Sequence, residues 1–136
     1  MEDVKTLAVQ YHQAGNNCAE TVVKVCNDCL KLDLPDETLR MVSVLGGGVA
    51  GSGCLCGALN GACLVLGSLV GRTKPDEKTK AEVNQPVREF QQIWIDRFKA
   101  TCCRVLKSPA NGGPVACEEL MADTSLMLVD FIREKK

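Results

Sequence analysis

MVSVLGGGVAGSGCLCGALNGACLVLGSLVG, residues 41–71, decides how this chain is read. No charged residue falls between Arg40 and Arg72. The stretch holds nine of the chain's 12 glycines and three of its nine cysteines, Cys54, Cys56 and Cys63. So long an uncharged run is either a membrane span or the centre of a packed core. A span needs about 20 consecutive, mainly apolar residues. GGGVAGSG, residues 46–53, breaks that condition, since each glycine costs about 1 kcal/mol in a helix. The remaining half, Cys54 to Leu69, is apolar but has only 16 residues, with Asn60 in its middle. The stretch therefore reads as a buried central helix entered through a glycine-rich loop, with no membrane insertion. Gly57 and Gly61, four apart, share one helix face. Two bare positions on one face let another backbone approach closely, or make room for a prosthetic group beside Cys56.

The rest of the chain supplies partners for that helix. Val4, Leu7, Ala8 and Tyr11 have helical spacing over residues 3–14, and Gly15 ends that segment. His12, the only histidine, falls near its end and reads as a solvated or capping residue. Asn16 or Asn17 can cap CAETVVKVCNDCLKL, residues 18–32, which puts Cys18 in a first helical turn. A third helix begins after Pro35 and stops at Gly46, with Asp36 and Glu37 suited to its start. Residues 76–100 read as a long helix that Pro86 is expected to break or kink. Phe90, Ile93, Trp94 and Phe98 recur on it at core spacing. Residues 108–114 are a loop. Val115 to Glu134 is the last helix, buried through Leu120, Met121, Thr124, Met127, Leu128 and Phe131. Nothing alternates as a strand. The expected fold is all-α, a single domain over residues 1–136 built as a bundle of five to six helices.

Composition excludes several functions. The formal net charge is −1 and aromatic residues are 4 % of the chain, so neither a basic field nor stacking platforms invite nucleic acid. The charged N-terminal run MEDVKTLAVQYHQ lacks the apolar core of a secretory signal. That implies a cytoplasmic location, where thiols are normally reduced. Nine cysteines cannot all pair with one another, so metal binding or thiol redox chemistry becomes the question.

Cys18, Cys56 and Cys117 each fall in an expected first helical turn, and Cys103 at a junction between helical segments. The partial positive charge of a helix N-terminus favours thiolate, the form that binds metals and attacks disulfides. Ferredoxin-like spacing and paired zinc-type C-x-x-C spacing are both absent. Cys26, Cys29 and Cys63 read as core. Cys54 and Cys102 each neighbour a candidate, and either could act as a resolving thiol. The glycine run matches a phosphate loop poorly, having no preceding strand and no Gly-Lys-Ser/Thr ending.

Cys56-Gly57-Ala58-Leu59-Asn60-Gly61 resembles the central motif of the redox-active family named for its C_GCAxxG_C_C pattern. The other signature cysteines of that pattern look like Cys18, Cys103 and Cys117, so the resemblance covers nearly the whole chain. It implies redox activity. A similar domain accompanies haem in split-Soret cytochromes, where an iron–sulfur site has been suggested. The implied function is electron transfer or redox sensing through an iron–sulfur cluster held by Cys18, Cys56, Cys103 and Cys117, with Gly57 and Gly61 beside it and an unidentified redox partner protein. On that reading the protein is a redox carrier rather than a catalyst with its own substrate. Two alternatives stand beside it. One is a metal-free thiol–disulfide protein pairing Cys56 with Cys103 or Cys102. The other is a structural zinc module. Four ligands need not come from one chain, so a group shared across a homodimer is a further arrangement. Cys54 and Cys102 leave open the register of the second and third ligands.

Overall fold

Asp3 opens the first helix because its side chain accepts a hydrogen bond from the Lys5 backbone N–H at 3.1 Å. The computed structural model describes residues 3–106 and 117–135. Over these the chain is all-α: α1 (Val4–Gln13), α2 (Cys18–Leu30), α3 (Asp36–Val42), α4 (Gly57–Val70), α5 (Lys80–Phe98), α6 (Cys103–Leu106) and α7 (Cys117–Glu134). No strand occurs among the described residues. The loop expected at residues 108–114 and the expected helix start at Val115 lie outside them.

Capping sets the boundaries that matter. Asn17 accepts from the Glu20 N–H at 2.9 Å while Glu20 accepts from the Asn17 N–H at 3.0 Å. This reciprocal cap is worth about 1 kcal/mol and fixes Cys18 as the first residue of α2. Thr79 and Glu82 form the same box at the start of α5, so that helix begins at Lys80 rather than near residue 76. Pro86 lies inside α5 and does not end it. Proline removes one N–H and its ring crowds the Glu82 carbonyl four residues back, and the burial of Phe90 and Trp94 downstream offsets that cost. Ile93 departs from its expected core place, at 47 % exposure. It sits at the edge of the stripe that Phe90 and Trp94 centre.

The glycine run forms the expected loop. Two short 3-10 turns, Ser43–Leu45 and Val49–Gly51, flank Gly46 to Gly48. The loop closes on itself through Gly51 N–H to Gly46 O at 3.0 Å, Gly53 N–H to Gly47 O at 3.0 Å and Val49 N–H to Cys54 O at 3.2 Å. Gly48 has φ +78°, and a Cβ there would run into the Gly53 and Cys54 backbone. The chain thereby turns back before α4. No helix among the described residues is long and apolar enough to cross a membrane.

One continuous core joins α1, α2, α4, α5 and α7. α4 packs chiefly on α2, and α7 packs on α1, α2 and α4. α7 is buried almost all round, including Asp123, Thr124 and Ser125. Each of these has partners. Trp94 Nε1 donates to Thr124 Oγ1 at 2.9 Å, and Thr124 donates to the Leu120 carbonyl at 2.7 Å. Ser125 donates to the Met121 carbonyl at 2.8 Å.

The Asp123 carboxylate, 9 % exposed, meets Lys5 Nζ at 2.8 Å and Arg97 Nη2 at 3.0 Å. Both cations are about half exposed, so they rehydrate if the carboxylate is lost. Asp123→Ala is expected to cost about 1–2 kcal/mol, whereas Lys5→Ala with Arg97→Ala strands the buried carboxylate and costs about 3 kcal/mol or more. Urea unfolding of the two variants checks this order.

Candidate functional site

Three of the candidate cysteines stand at helix beginnings, and Cys117 is the first described residue of α7. Cys18 and Cys103 are the first residues of α2 and α6. Cys56 is the N-cap of α4, because its backbone is still extended (ψ 129°). The expected helix start at Cys54 is therefore three residues early: Cys54, Leu55 and Cys56 belong to the entry segment.

These cysteines, far apart in sequence, line one cavity of about 190 Å³, together with His12, Asn17, Gly47, Leu106, Leu120 and Met121. Cys56 and Cys103 are buried, Cys18 and Cys117 half-buried. One chain supplies all four, so the set needs no second copy. Among the described residues, no three His, Cys, Asp or Glu side chains converge tightly enough to hold a single metal ion. The thiols surround a space rather than meet at a point. That space is many times the roughly 10–15 Å³ one water requires.

The electrostatics follow from burial and backbone dipoles. Burial pushes the Cys56 thiol up to about 12, and the nearby Cys103 and Cys18 thiols add to the rise. The Leu59 and Ala58 backbone N–H groups at the start of α4 pull the other way, though neither makes a full capping hydrogen bond. Cys56 is thus held as the neutral thiol. Cys18 Sγ accepts from the Gly47 N–H at 3.4 Å, so the glycine loop contributes a donor to the site. The donor set is soft, four thiols with one amide on a sulfur, and suits thiolate-bound iron or zinc.

The two motif glycines serve this arrangement through packing. A Cβ on Gly61 would stand 2.8 Å from the Ala19 carbonyl oxygen and 3.3 Å from its Cα. A Cβ on Gly57 would overlap Cys18 Sγ and lie 2.7 Å from the Leu45 carbonyl oxygen. The room these glycines leave is filled by α2 and by the Cys18 sulfur itself. Neither glycine lines the cavity. Gly57 decides where the Cys18 thiol can sit.

The remaining cysteines sort by place. Cys26 is fully buried in the core, and its thiol is raised by burial; Cys63 is half-buried and raised for the same reason. Cys54 and Cys102 form a disulfide. This differs both from the expectation of reduced thiols and from a Cys56 pairing with Cys103 or Cys102: Cys56 and Cys103 are not disulfide-bonded. Of Cys54 and Cys56, and of Cys102 and Cys103, the thiols that line the cavity are Cys56 and Cys103.

His12 departs from the solvated role read from the sequence. It lines the cavity, and its Nδ1 lies 2.8 Å from Glu118 Oε2. No sequence signal could have found this pair, since its members are 106 positions apart. The Gly47 donor was equally invisible, because it depends on the loop's fold.

A family model described as "Putative redox-active protein (C_GCAxxG_C_C)" matches residues 16–131. An uncharacterized protein of Archaeoglobus fulgidus is similar, 22 % identical over 135 residues that cover 98 % of this chain and 83 % of the relative. No solved structure matches the chain.

Proposed function

The chain belongs to the C_GCAxxG_C_C family of redox-active proteins, and from that premise we propose that it carries electrons or senses redox state through an iron–sulfur cluster bound by Cys18, Cys56, Cys103 and Cys117. The supporting observation is that these four cysteines, from four separate segments of the chain, line one cavity of about 190 Å³. When bound, such a cluster supplies one-electron redox chemistry, its potential set by charge, hydrogen bonds to sulfur and exposure. The chain's own groups act on each of these. Helix beginnings offset the negative charge of four thiolates. The Gly47 N–H donates to the Cys18 sulfur. Buried Cys56 and Cys103 keep water from the inner side, and half-buried Cys18 and Cys117 form the side nearer a redox partner protein.

A structural zinc site fits less well. Zinc draws four sulfurs to about 2.3 Å around one point, and these four ring a cavity.

The test is iron and acid-labile sulfide content, with a visible spectrum, on protein purified without oxygen. Iron and sulfide in near-equal amounts with broad visible absorbance are expected. Cys56→Ala is expected to lose at least about nine-tenths of the iron, since it removes the one buried ligand supplied at the α4 start; Cys63→Ala is expected to keep it. Colourless protein holding one zinc would favour the structural module. Metal-free protein that cannot be reconstituted would remove the cluster from consideration.

A further inference from the structure

Two ligand-bearing segments of the site are stitched together by three links. The Cys56 N–H donates to the Thr101 carbonyl at 2.7 Å, and the Arg104 N–H donates to the Gly53 carbonyl at 3.3 Å. Between them lies the Cys54–Cys102 disulfide, 48 positions apart in sequence. Cys54 is two residues from Cys56, and Cys102 adjoins Cys103. Both bonded cysteines are half-buried, so a small thiol reaches them, while Cys56 and Cys103 are buried. The disulfide is the one covalent tie between the entry to α4 and the start of α6, which carries Cys103 as its first residue.

We propose that Cys54 and Cys102 form a second, two-electron redox centre, reversible with dithiols, whose oxidised form clamps Cys103 against Cys56 and whose reduced form opens that side of the cavity. The chemistry is thiol–disulfide exchange with an external dithiol. A thiolate of the dithiol attacks one sulfur of the bond, which breaks to give a mixed disulfide and a cysteine thiolate. The second thiol of the reagent then attacks the mixed disulfide. The reagent leaves as its own disulfide, and Cys54 and Cys102 are left as two thiols, having gained two electrons and two protons. With the tie gone, the holds on this segment among the described residues are the two hydrogen bonds and the buried Cys103 and Leu106 side chains. An edge segment so held opens locally at lower free energy than the core. The proposal does not depend on which group the cavity holds.

The experiment is alkylation kinetics by iodoacetamide, read cysteine by cysteine by mass spectrometry, on the full chain freed of metal by chelation. Three samples are compared: oxidised protein, protein reduced with dithiothreitol and desalted without oxygen, and the Cys54→Ser, Cys102→Ser double variant. Cys103 is expected to react roughly tenfold faster in the reduced and variant samples, and reoxidation with glutathione disulfide is expected to restore the slow rate in the former. Cys26, fully buried in the core, is the internal control and is expected to stay slow in all three. Unchanged Cys103 reactivity would make the bond a passive staple and overturn the proposal. So would a parallel rise at Cys26, which would report unfolding, or a bond that dithiothreitol leaves intact in the folded protein.

Discussion

Gly57→Ala is expected to destabilise the protein by about 3 kcal/mol and to push Cys18 out of the cavity. Overpacking a tight site costs about 1–3 kcal/mol, occasionally more, and three features put this position at the upper end. The added methyl group overlaps Cys18 Sγ. It also meets the Leu45 carbonyl oxygen at 2.7 Å and the Gly46 Cα at 3.3 Å, both backbone atoms. That backbone belongs to a loop closed by its own hydrogen bonds, so it yields little. Gly67, ten residues along the same helix, is exposed and has nothing within 4 Å of an added Cβ. There alanine is expected to stabilise by about 0.5–1 kcal/mol through helix propensity alone. The two substitutions are chemically identical and expected to differ in sign. Urea unfolding of both reads the sign, and iron content after anaerobic purification reads the displacement of Cys18. Equal effects at the two positions would mean that the close approach of α2 to α4 is not what the motif glycine provides.

That contrast also marks how far the sequence could be read. Two glycines four apart, Gly57 and Gly61, announce a close approach, but spacing cannot say what approaches. The occupant turned out to be Cys18 and the Ala19 backbone, parts of a helix about 40 positions earlier. Local signals were legible: a cap at Asn16 or Asn17 placed Cys18 in a first helical turn, and Pro35 with its following acids placed α3. Where a boundary depended on tertiary context, the reading slipped. α4 starts three residues late because residues 54–56 form a non-helical entry segment, which the Cys56 N–H bond to the Thr101 carbonyl ties to the α6 side of the site. Pro86 reads locally as a helix breaker, yet the core carries α5 through it. Asp123 carries no local signal of its burial, because its two cations come from α1 and α5. The cysteines show the same division. Their number and their helix-start positions pointed to redox or metal chemistry, whereas their gathering around one cavity required four helices to pack.

Removing the Cys54–Cys102 bond is expected to lower stability by about 4 kcal/mol, the largest single effect anticipated here. The estimate comes from the unfolded chain. Closing a loop across 48 positions withdraws conformational entropy worth about 4 kcal/mol at room temperature. A domain of 136 residues has a total stability of order 10 kcal/mol, so the Cys54→Ser, Cys102→Ser variant keeps about half and remains folded. The shift in melting temperature is expected to be about 10–15 °C, given an unfolding entropy of roughly 2.1 cal/mol/K per residue. The fold survives because Phe90, Trp94, Leu59 and Val22, all fully buried, owe nothing to the bond. Melting of the oxidised protein and the double variant, with urea unfolding of each, measures the difference. A change below about 1 kcal/mol would mean that the two segments stay together in the unfolded chain without the bond. In that case its oxidation state could not control how firmly Cys56 and Cys103 face each other. A loss near 4 kcal/mol with the core intact leaves the site's own edge, rather than the whole domain, as the part that oxidation tightens.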